Sequence, residues 1–195
     1  MRERGFARFG RSEMVLPPSV AVPEGSPPAG VNLRPLRLDD EHRLARLHER
    51  AYRDHLDRYL AVEEIDPARD ADRQLRDYFA GRYGDVLSPG SSVATEADGV
   101  VAAAITTRYT GRALIIDVMT EPDRQGTGLG RAVLADAVRA LRARGEAPIT
   151  LNVTEGNDPA FRLYSHLGFV RTMGPTREWY DAGRIRVTHP SNGIR

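Results

Sequence analysis

Apolar residues recur along this chain with two different periods, and the changes of period divide it into strands and helices. Alternating or continuous apolar runs predict strands, whereas recurrence every three to four residues predicts helices. The predicted strands span residues 31–38, 91–96, 100–107, 113–120, 149–154 and 169–173, with a terminal hairpin over 178–180 and 184–187. The predicted helices span about 39–56, 70–81, 130–145 and 159–167. Hairpins that precede a strand–helix–strand unit indicate a mixed sheet covered by helices, which is an α/β (α+β) fold.

The turn between the strand at 113–120 and the helix after it reads Gln125-Gly-Thr-Gly-Leu-Gly130. Three glycines in six residues leave the backbone N–H groups accessible, and the start of a helix carries partial positive charge. The pattern therefore predicts a site for a phosphate or pyrophosphate. It lacks the lysine of a Walker loop and the G-x-G-x-x-G spacing of a dinucleotide-binding turn. A glycine-rich turn that binds no ligand is the alternative interpretation of this stretch alone.

The first 30 residues interrupt every periodic pattern with prolines and glycines, and several arginines make their beginning basic. Such a composition predicts a disordered tail over residues 1–30. Residues 31–195 are then predicted to form a single domain, because they contain neither an internal repeat nor a second set of elements.

The composition is that of an ordinary globular protein: of 195 residues, 41% are hydrophobic and 28% are charged, and the net charge is +1. The balanced charge and the lack of a basic amphipathic helix argue against nucleic acid and membrane as partners. No cysteine is present, which excludes disulfides, thiolate metal sites and a cysteine nucleophile. His48 and His55 share one face of a predicted helix, but no third ligand is placed beside them, so we expect no metal. A cytoplasmic protein is the default expectation, and a homodimer stays open.

The stretch from Asn157 to Phe169 carries the most specific motif of the chain. It reads Asn-Asp-Pro-Ala-Phe-Arg-Leu-Tyr-Ser-His-Leu-Gly-Phe and closely resembles the pattern N-x-x-A-x-x-x-Y-x-x-x-G-F of the GNAT N-acetyltransferases. The earlier pattern Gln125-x-x-Gly128-x-Gly130 resembles the acyl-CoA signature of the same family. The two matches occur in the family's order, one helix and one strand apart. They cover about residues 114–170, whereas residues 31–107 agree with the family only in their pattern of elements.

The resemblance implies a mixed, mostly antiparallel sheet of six to seven strands flanked by helices. This sheet is splayed between residues 114–120 and 149–154, and acyl-CoA lies in the V-shaped opening. The implied reaction is acyl transfer, usually of acetyl, from acetyl-CoA to a primary amine of a small molecule or peptide, by direct attack in a ternary complex. The residues that the resemblance places around acetyl-CoA are Val118, Thr120, Gln125, Gly126, Thr127, Gly128, Leu129, Gly130, Arg131, Asn157 and Phe161.

Two side chains are candidates for the proton transfers of this reaction. Tyr164 matches the family's general acid, and a phenol with a reference pKa of about 10 keeps its proton at neutral pH. A core aromatic on a helix face is the other interpretation of Tyr164. Asp117 is the candidate base, because a charge inside an otherwise apolar strand is costly without a purpose. A water relay without a fixed base, or a carboxylate satisfied by neighbouring amides, stays open at this position.

Two other functions compete with that of an amine N-acetyltransferase. A non-catalytic acyl-CoA sensor or regulatory domain would be expected to lack Tyr164 or the glycines, and both are present. A purely structural interaction domain would leave the anion-binding turn unexplained. Glu121 and Asp123 flank this turn, and we expect both to be solvated.

Overall fold

One sheet of ten strands forms the centre of the described chain, and helices pack on both of its faces. The structure is a computed structural model that describes residues 6–23, 25–53, 55, 67–97, 99–172, 176–181 and 187–188. The strands are β1 (Phe6–Leu16), β2 (Asn32–Pro35), β3 (Asp85–Val86), β4 (Ser92–Glu96), β5 (Gly99–Tyr109), β6 (Arg112–Thr120), β7 (Ile149–Thr154), β8 (Val170–Arg171), β9 (Thr176–Asp181) and β10 (Val187–Thr188). The helices are α1 (Glu41–Tyr52), α2 (Pro67–Phe79), α3 (Leu129–Arg142) and α4 (Asp158–His166). None of the described helices has the length and apolar content needed to cross a membrane.

Neighbouring strands run antiparallel throughout the described sheet, except at the pair β6–β7. The order across the sheet is β10–β9–β1–β7–β6–β5–β4–β2, with β3 beside β5 and β8 beside β1. The predicted fold class, a mixed and mostly antiparallel sheet flanked by helices, is confirmed. The sheet is wider than the expected six to seven strands, because it includes three strands of two residues and because the sequence pattern does not predict β1.

The parallel pair β6–β7 is the place where the sheet opens. Its ladder consists of three residue pairs, Ala113↔Ile149, Leu114↔Thr150 and Ile115↔Leu151. Beyond these pairs β7 continues beside β1, and β6 continues beside β5. Residues 116–120 of β6 therefore present backbone groups to an opening between β6 and β7. These are the two strands between which the resemblance implies the acyl-CoA cleft.

A β-bulge in β6 decides which side chains reach which face of the sheet. In the pairing with β5, Ile105 lies opposite Asp117 and Thr106 lies opposite Ile115, so Ile116 is the extra residue. Ile115 packs on the side of α3 and α4, whereas Ile116 packs on the side of α1 and α2. Asp117 faces α1 as well. Without the bulge, regular alternation would place Asp117 on the same face as Ile115.

The helices bury the two faces of the sheet in separate layers. Leu44 of α1 and Leu75 of α2 are fully buried against one face, and Leu134 and Leu141 of α3 are fully buried against the other. The alanines at 102–104 of β5 are also fully buried. Because their side chains are small, helices can approach this central strand closely from both sides.

Residues 6–16, inside the predicted tail, form the strand β1 within the sheet. Residues 11–16 pair with β7, and residues 6–11 pair with β9. Met14 and Leu16 of this strand are each 1% exposed. The structure thus places a strand with hydrogen-bonded neighbours where composition predicts a tail. The reason is that the partners of β1 lie far along the chain, beyond the reach of any local pattern.

The chain after β1 packs against α3 and α4. Arg142 Nη2 donates to Pro17 O at 2.9 Å, and Nη1 donates to Val20 O. Val20 and Val22 pack on the core cluster between the sheet and these helices. Residues 17–22 are therefore part of the folded domain as well.

Substitution of Gly168 tests the packing of residues 17–22 against α3 and α4. Gly168 has φ of +92°, and a Cβ there would collide with Val20 Cγ1. We expect Gly168→Ala to lower the free energy of unfolding by about 2–5 kcal/mol, from left-handed backbone strain plus overpacking. Gly145→Ala is the matched control, because Gly145 has φ of +77° and open space around it, so only the strain of about 1–2 kcal/mol applies. Equal losses in urea denaturation would contradict the contact with Val20.

The observed ends of several elements differ from the predicted ones. Helix α2 begins at Pro67 rather than near residue 70, and the predicted strand at 31–38 ends before a helical turn at Leu38–Asp40. The predicted end of the first helix at Leu56 and the predicted hairpin turns at 98–99 and 182–183 fall wholly or partly outside the described residues.

Candidate active site

The glycine-rich turn links the end of β6 to α3 and lies at the surface. A single helical turn, Pro122–Arg124, follows β6, and residues 125–128 are exposed. Gly126 and Gly128 have φ of +78° and +93°, values that glycine adopts without steric cost. No heavy atom outside the adjoining residues would lie within 4 Å of a Cβ on either glycine. The space beside the turn is therefore open to a ligand.

The N-terminus of α3 faces this turn. Its first helical hydrogen bond runs from Ala132 N to Gly128 O at 2.9 Å. The N–H groups of Leu129, Gly130 and Arg131 precede that bond, at the start of the helix. Together with the helix dipole they form a site suited to an anionic group, which is the chemistry that the sequence predicts here.

The first turn of α3 meets both the end of β6 and α4. A Cβ on Gly130 would lie 3.3 Å from Thr120 Oγ1 and 3.6 Å from Leu163 Cδ2. Because position 130 has no side chain, these three elements approach one another at a single point. This contact brings the glycine-rich turn next to the helix that carries Tyr164.

Tyr164 lies on the inner side of α4 and is 9% exposed. It belongs to a buried cluster against which Val118 and Phe161 pack. Its ring centroid lies 6.2 Å from that of Phe169. The structure therefore gathers Tyr164 and two of the predicted cofactor-binding residues on one side of the opening.

Asn157 caps α4. Its Oδ1 accepts a hydrogen bond from Ala160 N at 3.2 Å, and Pro159 occupies the first helical turn. Both features favour the start of a helix. Asn157 thus has a structural role, and its contact with the cofactor stays a prediction.

Asp117 lies on the opposite side of the sheet, is 5% exposed and faces α1. Tyr52 Oη donates a hydrogen bond to Asp117 Oδ1 at 2.6 Å. This distance falls within the range of hydrogen bonds to an ionised carboxylate. A hydroxyl from a distant helix therefore stabilises this buried carboxylate.

His48 lies beside the other carboxylate oxygen of Asp117, with Nε2 at 3.7 Å from Oδ2. This distance is short enough for an ion pair, but burial lowers the pKa of His48 to about 4. His48 is therefore neutral at neutral pH, and the pair carries only the charge of Asp117. The ring of Tyr52 contacts two histidines, at centroid distances of 4.4 Å from His48 and 5.7 Å from His55.

Tyr78 of α2 lies within the electrostatic reach of the same carboxylate. Burial raises the pKa of Tyr78 well above its ordinary value, and the negative charge of Asp117 raises it further. Arg11 of β1 acts on Tyr78 in the opposite direction. The phenol of Tyr78 is therefore protonated across the physiological range, and β1 contributes a positive charge to this side of the sheet.

Arg50 ties α1 to the end of β6. Its Nε donates to the two carboxylate oxygens of Glu121 at 2.9 and 3.0 Å, and Nη2 donates to Oε1. The side chain of Glu121 is 15% exposed, so the expectation that Glu121 is solvated is wrong. No local pattern indicates this pair, because its members are 71 residues apart in the chain.

Three further predicted residues lie at the glycine-rich turn, whereas Tyr52, which binds Asp117, is not among the residues predicted from the sequence. Gln125, Thr127 and Arg131 are exposed beside the open glycines. Tyr52 does not follow from the sequence motifs. Its spacing from His48 is the signal that could have found it, since residues four apart share one face of a helix.

Comparison with known proteins identifies a family whose profile matches the part of the chain that forms this site. The profile of the acetyltransferase (GNAT) family matches residues 43–169. The matched range begins in α1 and ends just after α4. It includes Asp117, the glycine-rich turn and Tyr164.

Individual relatives agree with this match. Mycothiol acetyltransferase of Thermomonospora curvata is 32% identical over 155 residues, which cover 77% of this chain and 48% of that protein. The chain spans about half the length of the curated relatives it matches. A GCN5-related N-acetyltransferase from Sphaerobacter thermophilus aligns with a TM-score of 0.68 at 19% identity, over 93% of this chain and 55% of that one. The ribosomal-protein-S18-alanine N-acetyltransferase from Escherichia coli aligns with a TM-score of 0.57 at 20% identity, over 85% of this chain and 99% of that one.

Proposed function

The chain belongs to the acetyltransferase (GNAT) family, and on that premise we propose that it is an N-acetyltransferase that transfers acetyl from acetyl-CoA to a primary amine. The observation that carries the proposal is the opening between β6 and β7, with the glycine-rich turn at the end of β6. The turn would hold the pyrophosphate on the N–H groups of Leu129, Gly130 and Arg131. The backbone of Val118 and Thr120 would pair with the pantetheine arm as an added strand does.

The reaction needs a deprotonated amine, stabilisation of an oxyanion and a proton for the departing thiolate. Acetyl-CoA supplies the thioester and the thiolate leaving group. Asp117 is proposed to take the proton of the amine, and Tyr164 is proposed to donate its phenolic proton to the thiolate. A phenol is suited to this donation because its reference pKa, about 10, lies above that of a thiol, about 8.5.

The acceptor class rests on the relatives together with the site. The names of the relatives include a mycothiol acetyltransferase and a ribosomal-protein-S18-alanine N-acetyltransferase. We therefore propose a small-molecule amine or a peptide N-terminus as the acceptor. The buried carboxylate of Asp117 favours an acceptor that arrives as an ammonium ion, because opposite charges attract strongly where water is excluded. Since acetyl-CoA is a metabolite of the cell interior, the proposal places the reaction in the cytoplasm.

Thiol release from acetyl-CoA tests the proposal and separates it from a sensor function. The full chain is mixed with acetyl-CoA and with single amines, namely small primary amines and peptides with a free N-terminal alanine. We expect at least one amine to raise thiol release well above the rate without amine. Stabilisation of the protein by CoA without accelerated thiol release for any amine would support the sensor instead.

Substitution of Gly128 tests the anion site. A ligand that binds only the folded state stabilises it, by about 2.7 kcal/mol at a concentration 100 times Kd. We expect CoA to raise the melting temperature of the wild-type chain and to have no effect on Gly128→Val, because the side chain fills the space beside the turn and forbids φ of +93°. Gly145→Val is the control, since Gly145 has φ of +77°, open surroundings and a position beyond the other end of α3. An unchanged CoA affinity in Gly128→Val would remove the anion-site argument.

A further inference from the structure

We propose that Tyr52 is a positioning residue that holds the carboxylate of Asp117 ionised and in one orientation at the opening of the sheet. The inference rests on the proposed function, in which Asp117 takes the proton of the amine. It assigns a role to a side chain of α1 that lies outside both sequence motifs described above.

The hydrogen bond between Tyr52 and Asp117 is the first argument. The carboxylate is 5% exposed, and burial alone would favour its neutral form. Tyr52 Oη lies 2.6 Å from Oδ1, and a hydrogen bond donated to the charged form favours that form. The phenol therefore opposes the effect of burial on a group that must be ionised in order to act as a base.

The second argument is that Tyr52 is itself held in place. Its ring packs against that of His48 in a tilted arrangement, at a centroid distance of 4.4 Å. Helix α1 is anchored by Leu44 and Leu47, both fully buried, and Arg50 binds Glu121 directly after β6. Arg50 and Tyr52 thus both link α1 to β6 or to the residue directly after it, so the hydroxyl has a defined position relative to the strand.

The third argument concerns the other ionisable groups on this side of the sheet. His48 is neutral, because burial lowers its pKa to about 4. Tyr78 of α2 is protonated, because burial and the charge of Asp117 raise its pKa. Arg11 of β1 lowers the pKa of Tyr78, against the effects of burial and of Asp117. Within the described residues, Tyr52 is thus a direct hydrogen-bond donor to Asp117.

The test is Tyr52→Phe, which removes one oxygen and keeps the ring packed against His48. The titration of the Asp117 carboxyl is followed by carbon NMR in the full chain, and this readout needs no acceptor. A hydrogen bond to a charged group corresponds to about one pH unit or more, so we expect the titration midpoint to rise by about one unit. Tyr109→Phe is the matched control, because Tyr109 is exposed at the turn between β5 and β6, and it should leave the midpoint unchanged.

The kinetic readout is the pH profile of kcat, measured with the amine that gives the fastest thiol release. If no amine accelerates thiol release, water serves as the acceptor. A base is active when deprotonated, so activity falls as pH drops through the midpoint. A midpoint one unit higher lowers kcat about tenfold on the acidic limb and leaves the plateau at high pH nearly unchanged. The affinity for CoA should not change. In an Asp117→Asn background, Tyr52→Phe should cost nothing further, because residues that act through one another are not additive.

Two results would overturn the inference. One is a Tyr52→Phe variant with a lower melting temperature but with the titration midpoint and acidic limb of the wild type, which would make Tyr52 purely structural. The other is a full additional rate loss in the Asp117→Asn background. Failure of the proposed function looks different, because a chain that transfers acetyl to no amine still reports the titration of Asp117.

Discussion

Tyr164→Phe is expected to lower kcat by about 10²–10⁴-fold, the usual contribution of a positioned general acid. The fold should persist, because the substitution removes only a hydroxyl from a ring that packs in the core beside Val118 and Phe161. The affinity for CoA should remain nearly that of the wild type for the same reason. The measurement is steady-state thiol release together with a CoA titration followed by thermal stability.

Two comparisons make this result specific. Tyr109→Phe loses the same hydroxyl at an exposed turn and should keep wild-type kcat. Asp117→Asn tests the opposite proton transfer, and its rate loss should be greatest at low pH, where the amine is mostly protonated. Full activity in Tyr164→Phe would contradict the acid assignment and leave positioning and desolvation as the source of catalysis. A mild effect of Asp117→Asn at every pH would favour a water relay.

Deletion of residues 1–16 is expected to abolish the folded state. Strand β1 lies between β7 and β9, so its removal exposes two strand edges and leaves their backbone groups without partners. It also removes Met14 and Leu16, each 1% exposed, and loss of a single buried side chain of this size costs about 2–5 kcal/mol. Domains of this size have a total stability of about 5–15 kcal/mol.

Circular dichroism and thermal melting of the truncated chain check this expectation. Deletion of residues 1–5, which precede β1, is the matched control and should leave the melting temperature nearly unchanged. Met14→Ala removes a single buried side chain of β1 instead of the whole strand, and it should lower the free energy of unfolding by about 2–5 kcal/mol. A chain without residues 1–16 that melts cooperatively at the wild-type temperature would show that β1 contributes little to the domain.

The parts of this structure that the sequence predicts are those with local signals. The alternation at 149–154 and the continuous apolar run at 113–120 indicate β7 and β6, and apolar spacing indicates α3 and α4. The glycine-rich turn is predictable because Gly126 and Gly128 adopt backbone angles that few other residues tolerate. Each of these features is encoded within a few neighbouring residues.

The unpredicted parts depend on contacts between distant residues. Strand β1 reads as a tail because its stability comes from β7 and β9, near the other end of the chain. The bulge at Ile116 turns Asp117 towards α1, and no local sequence pattern predicts this bulge. Tyr52 and Asp117 are 65 residues apart in the chain, so their hydrogen bond becomes visible only after α1 is packed on β6.

Transfer of an isotopically labelled acetyl group is the measurement that tests the central claim most directly. The full chain is incubated with labelled acetyl-CoA and a primary amine, and both the labelled amide and the free thiol are quantified. The account predicts that amide and thiol appear in equal amounts in the wild-type chain, and that both are reduced about 10²–10⁴-fold in Tyr164→Phe. Binding of CoA without any labelled amide, across small amines and peptides alike, would contradict the account and leave a protein that senses acyl-CoA.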